Sequence, residues 1–95
     1  MTSCSYFKRR WDETRGDQHD AWGTSVWYFE VGPDGYAVRQ IEEYASGVLL
    51  KYSETEMEDE YGFLADQPID IDEGDWEGIT RAEFESAWHK QGLKP

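Results

Sequence analysis

Between Thr24 and Ser53 the chain alternates strand-forming runs with two tight-turn signals, and that spacing narrows the fold to an antiparallel meander. Thr24–Val31 is rich in β-branched and aromatic residues, as a pleated, half-buried strand requires. Gly32-Pro33-Asp34-Gly35 follows. Pro33 presets φ for a turn, and Gly35 tolerates positive φ. Tyr36–Ala45 reads as the next strand, Ser46-Gly47 as a second tight turn, and Val48–Ser53 as the strand after it. Ser5–Asp12 supplies an earlier strand, with Tyr6, Lys8 and Arg10 alternating against Phe7, Arg9 and Trp11. Glu13–Gly23 contains Gly, Asp, Gln and His and reads as a loop.

Register follows from turn length. A two-residue Ser46-Gly47 loop pairs Ala45 with Val48, and therefore sets Glu42 opposite Lys51 and Ile41 opposite Tyr52. The Pro-Asp-Gly turn allows two registers. A type I turn with a glycine bulge pairs Val31 with Ala37 and Trp27 with Ile41; a two-residue Asp34-Gly35 loop pairs Glu30 with Arg39. The two differ by one residue, which exchanges the faces of the hairpin, so its core face stays open.

Beyond the meander lies a run of acid. Eleven of the 21 Asp and Glu residues fall between Glu54 and Glu77, with no Lys, Arg or His among them. Glu54–Glu60 has no helix breaker and reads as a possible helical turn, opposed by like charges at i,i+4. Tyr61–Glu77 reads as an irregular segment wrapping the domain, anchored by Tyr61, Phe63, Leu64, Ile69, Ile71 and Trp76. Thr80-Arg81-Ala82-Glu83 then matches a capping box, with Ile79 and Phe84 placed for the hydrophobic staple. Phe84, Ala87 and Trp88 form an apolar stripe, and Gly92 is placed to close the helix. The expected fold is a single α+β domain over residues 1–95. It has a four-stranded antiparallel meander, a C-terminal helix packed on one face, and the irregular acidic segment between them.

Composition decides whether such a chain folds. Its 15 aromatic residues, five of them Trp, distinguish it from disordered acidic tails. The formal charge of -12 disfavours bare nucleic acid and anionic lipid, so neither is an expected partner. No apolar stretch reaches transmembrane length, and MTSCSYFKRRW has no apolar run, so neither a membrane span nor a signal peptide is expected. The lone Cys4 fits a reducing compartment, and the expected location is cytoplasmic.

The residue patterns offer little conventional chemistry. Asp70-Ile71-Asp72-Glu73-Gly74-Asp75 looks like the start of an EF-hand loop, but Gly74 stands at position five and Arg81 at position twelve, out of register for calcium. One Cys and two distant His exclude the usual zinc sites, so no metal and no cofactor are expected. Glu30, Glu42 and Glu43 lie on strands and would serve as acid and base only if one were buried beside another. Lys51 offers Glu42 an ordinary ion-pair partner instead, and no catalytic residue is assigned. His89 near the helix C-terminus is explained by the dipole.

Four strings carry a resemblance: Trp22–Val31 (WGTSVWYFEV), Arg39–Tyr44 (RQIEEY), Glu58–Gly62 (EDEYG) and Ile79–Glu85 (ITRAEFE). Together they resemble a family of short, acidic, uncharacterised bacterial proteins over nearly the whole chain. The resemblance implies one domain and transfers no catalytic motif. In size and charge the chain is also similar to immunity proteins of bacterial toxin systems, from which no residue carries over.

Charge segregation points to a non-enzymatic interaction protein, immunity-like, docking its acidic segment on a basic surface of another protein. The expected contacts are Glu56, Glu58, Asp59, Glu60, Asp70, Asp72 and Asp75, with Trp76 as apolar anchor. The alternative is a small-ligand binding protein or minor enzyme. Its pocket would lie between the sheet and Tyr61–Trp76, lined by Trp11, Trp27 and Tyr44, with Glu42 as the polar group.

Overall fold

The computed structural model describes residues 4–70, 72 and 75–92. It is an α+β fold built on an open antiparallel sheet of five strands in the order β4-β3-β2-β1-β5. The strands are β1 (Ser5–Trp11), β2 (Ser25–Val31), β3 (Ala37–Tyr44), β4 (Leu49–Ser53) and β5 (Glu77–Gly78), followed by one helix, α1 (Arg81–Trp88). The expected count of four strands is corrected by β5. This two-residue strand pairs with Phe7 and Lys8 on the outer edge of β1, and the Ile79 amide donates to the Tyr6 carbonyl at 2.9 Å. Two residues, one of them glycine, carry no alternation from which a strand is readable.

Both registers considered for the first hairpin occur, one on each side of a β-bulge. Val31 pairs with Ala37 next to the turn, and after a shift Glu30 pairs with Arg39, Tyr28 with Ile41 and Trp27 with Glu42, so the expected Trp27–Ile41 pair does not form. The turn is the glycine-bulge kind, with Gly35 at φ 86°. The second hairpin differs from expectation. Its loop has three residues, Ala45-Ser46-Gly47, with Gly47 at φ 100° and the Tyr44 amide donating to the Val48 carbonyl at 2.9 Å. Glu42 therefore faces Leu50, not Lys51, and Gln40 faces Tyr52. The one-residue slip turns Glu42 into the interior, and the expected Glu42–Lys51 ion pair does not exist. Lys51 Nζ donates to the Lys90 carbonyl at 2.8 Å instead.

The two faces of the sheet have different cover. On one, α1 packs against β1 and β2. Ile41 and Phe84 on this side are 0% exposed, and the Phe84 ring meets Tyr6 at 5.5 Å. Thr80 accepts from the Glu83 amide at 3.1 Å, which is half of the expected capping box; the Glu83 carboxylate binds Lys8 at 2.9 Å. Gly92 does not cap the helix, which ends at Trp88 with His89 in right-handed conformation. Its lack of a side chain serves close approach, since a Cβ at Gly92 would collide with Leu49.

The other face holds the larger core, in which Phe29, Val31, Tyr44, Leu50, Tyr52 and Leu64 are buried. Its cover comes from Trp22 in the loop after β1 and from an acidic strap, the described residues between 54 and 76, which packs Tyr61, Leu64, Ala65, Ile69 and Trp76 on the core. No helical turn forms at Glu54–Glu60. The chain instead reverses twice there: Ser53 and Glu56 exchange backbone hydrogen bonds at 3.1 Å around a tight turn at Glu54-Thr55, and a second isolated bridge joins Glu58 to Phe63. Asp59 fixes the bend, accepting from Tyr52 Oη at 2.9 Å and from the amides of Tyr61 and Gly62. Leu64 is buried, and Tyr61, Ile69 and Trp76 pack against the core as anchors, whereas Phe63 stays 57% exposed. Ile71, expected as a further anchor, lies outside the described residues. No helix among the described residues is long and apolar enough to cross a membrane.

Candidate functional site

Strand register aligns one row of side chains across the sheet: Arg9 on β1, Trp27 on β2 and Glu42 on β3. The next row runs Trp11, Ser25, Tyr44. Successive rows on one face are two residues apart on each strand, so all six side chains share the strap side. The strap touches down on only part of this surface. Between it, the sheet and the Glu13–Asp17 loop lies an open cavity of about 710 Å³. Trp11, Trp27, Glu42 and Tyr44, the residues expected to line a pocket, all line this one. Arg9, Arg15 and Gln40 line it too and were not anticipated, and Trp76, expected as the anchor of a docking surface, lines it as well. Arg9 was findable, because it alternates with Trp11 on β1, and so was Gln40, which alternates with Glu42 and Tyr44. Arg15 sits in an irregular loop and has no such signal.

At the base of the cavity Glu42 is 3% exposed. Tyr44 Oη donates to its Oε1 at 2.6 Å and Gln40 Nε2 to its Oε2 at 2.9 Å. Among the described residues the cation paired with Glu42 is Arg15, whose Nη1 is 3.9 Å away. That guanidinium is committed elsewhere: it donates to Tyr44 Oη at 3.0 Å, to Asp17 at 3.2 Å and to the Tyr61 carbonyl. Burial pushes the Glu42 carboxyl above the ordinary carboxylate range, although Tyr44, Gln40 and Arg15 pull the other way. The Tyr44 hydroxyl is pushed up in turn, by burial and by Glu42. Gln40 joins floor to strap, donating to the Phe63 carbonyl at 3.2 Å and accepting from the Ala65 amide at 2.9 Å. At the mouth, the Arg9 guanidinium stands 5.2 Å from the Trp11 ring and 5.7 Å from that of Trp76. Trp76 also meets Phe29 edge-on at 5.2 Å, which leaves it half-buried against the core.

The Glu42 shift has a sign that can be tested. Its native pKa lies above the unfolded value, so the native state binds the proton more readily. The resulting stability is fully present below the unfolded pKa and is lost as pH rises through the native pKa. Wild-type stability measured relative to Glu42→Gln should therefore fall between mildly acid and neutral pH. Urea unfolding of both proteins across that range checks it, and a constant difference contradicts it.

The acidic residues are arranged differently. Glu56, Glu58, Asp59, Glu60, Asp70, Asp72 and Asp75 are all exposed, and among the described residues no ion pair engages any of them. They form two stretches of the strap. Asp59 is set apart by its role in the bend, and Asp70 accepts from the Asp72 amide at 3.0 Å. Among the described residues no three His, Cys, Asp or Glu side chains converge as a metal site would need. No protein-family model, curated protein or solved structure matches the chain.

Proposed function

We propose that this chain is a non-enzymatic binding protein that holds a small ligand in the cavity between its sheet and its acidic strap. The observation that carries the reading is the Arg9–Trp27–Glu42 row under a cavity of about 710 Å³. That volume lies within the range of ordinary small-molecule sites, and aromatic walls around a few polar groups are their usual make-up. Glu42 is held at both oxygens by Tyr44 and Gln40, which suits fixed recognition better than proton shuttling. A small-molecule screen read by thermal shift and by tryptophan fluorescence tests it. Binders should raise the melting temperature. Trp27→Ala should weaken them by roughly tenfold or more, because base-of-pocket aromatics carry much of the binding energy. Tyr36→Ala, at the exposed far turn, should leave them unchanged. The reading fails if nothing binds, or if Trp27→Ala binds as well as wild type.

A second reading has its own support: docking of the strap on a basic protein surface, immunity-like, in the cytoplasm. Met57 and Phe63 are 58% and 57% exposed, beside the exposed carboxylates of Glu56, Glu58 and Glu60. An apolar anchor ringed by one charge suits an oppositely charged partner. Met57 and Phe63 suit the anchor role better than Trp76, whose ring is spent on Phe29 and Arg9. Glu56, Glu58 and Glu60 changed together to Gln should slow association with such a partner. Asp59 is best left in place, because it holds the bend.

A further inference from the structure

We infer that the cavity selects an organic cation, an amine or guanidinium attached to an apolar or aromatic body. The inference rests on the ligand-binding reading and adds the chemical class. Three independent features carry it.

The first is the carboxylate. A buried charge needs a close counter-charge, and among the described residues the one cation paired with Glu42 stands 3.9 Å away with its shorter bonds made elsewhere. Each carboxylate oxygen accepts one hydrogen bond and has capacity for another. An ammonium in the cavity would supply what Arg15 does not.

The second is the ring beside it. The molecule places its own guanidinium groups over aromatic faces repeatedly: Arg9 over Trp11 and Trp76, Arg15 over Trp22 and Tyr44, Arg39 over Phe84 and Trp88. Trp27 lies next to Glu42 in the row and lines the cavity, and among the described residues no cation stands over it. An indole face adjoining a buried carboxylate is a cation site in two respects at once.

The third is the field. Glu13 and Asp66 line the cavity, both exposed, on a chain of net charge -12. A cleft with low-dielectric walls focuses such a potential and concentrates cations in it. Arg9 and Arg15 oppose this, but Arg15 is paired with Asp17 and Arg9 is held at the mouth on two rings. A small metal ion would find too few ligands among the described residues and gain nothing from the aromatic walls.

The test compares three probes of similar shape by calorimetric or fluorescence titration: phenethylamine, phenethyl alcohol and phenylacetate. The ammonium should bind roughly tenfold or more tightly than the alcohol, and phenylacetate most weakly. Glu42→Gln should bring the amine-to-alcohol ratio close to one. If Glu42→Gln fails to fold, the surface double variant Glu13→Gln, Asp66→Asn replaces it and should lower the amine-to-alcohol ratio severalfold. Equal binding of amine and alcohol overturns the cation class and leaves the cavity reading standing. Tightest binding of phenylacetate overturns it in favour of an anion held by Arg9. An amine affinity that neither variant changes overturns the role of charge. Absence of binding by all three probes overturns the inference and counts against the cavity reading as well.

Discussion

Phe84→Ala should lower the unfolding free energy by roughly 3–5 kcal/mol, the usual range for deleting a fully buried phenyl ring. Phe84 is 0% exposed and is among the largest fully buried side chains. Its ring touches Tyr6 at 5.5 Å and Trp88 at 6.3 Å, and the Arg39 guanidinium lies over it at 4.8 Å. Helix α1 has only eight residues, too few to persist without tertiary contacts. Removing its one buried side chain therefore loosens the helix as well as opening a cavity. Against a total stability of roughly 5–15 kcal/mol for a domain of this kind, the loss is large. Urea unfolding followed by far-ultraviolet dichroism measures it. A change below about 1 kcal/mol would mean that α1 is not integral to the fold.

Arg39→Ala should be comparably severe, at roughly 3–5 kcal/mol, for a different reason. Arg39 Nε donates to Glu30 at 2.6 Å, and the same guanidinium pairs with Glu85 while covering the rings of Phe84 and Trp88. Glu30 is 8% exposed, and its other partner is the Tyr6 hydroxyl at 3.0 Å. Alanine at 39 leaves that carboxylate buried without a counter-charge and strips two aromatic faces of their cover. The mechanism predicts its own rescue: adding Glu30→Gln to Arg39→Ala should restore part of the loss, because the orphaned charge is gone. Additive double-mutant energies would show that the ion pair is not the cause. Folded molecules of either helix-face variant should bind the cavity ligand normally, since Phe84 and Arg39 lie on the opposite side of the sheet.

The β2–β3 hairpin was legible because Thr24–Val31 and the Pro-Asp-Gly turn leave few alternatives. The β3–β4 register was not. Ser46-Gly47 suits a two-residue loop and a three-residue glycine-bulge loop equally, and the wrong choice brought an attractive Glu42–Lys51 pair with it. The actual register puts Gln40 and Glu42 inside, where alternation of polar and apolar residues would never place them. Local pattern describes the average strand, and a buried polar row departs from that average because something specific is assembled there. Trp11, Trp27 and Tyr44 were readable as candidate lining residues, but their sharing one face depends on the Trp27–Glu42 register, which the turn sequence left open. The closure of the cavity was not readable, because Arg15 and the strap reach it through irregular backbone whose course depends on single contacts such as Gln40 to Ala65.

A ligand held between the sheet and the strap would contact the Arg9–Trp27–Glu42 row directly. Titration of isotope-labelled protein with phenethylamine, followed by amide and indole chemical shifts, tests it most directly. Saturable shifts are expected at the Trp27 indole N–H and at the amides of Glu42 and Gly62, with Phe84 and Trp88 on the far side unmoved. Shifts confined to Glu56–Glu60 on the outer strap, or to α1, would contradict it.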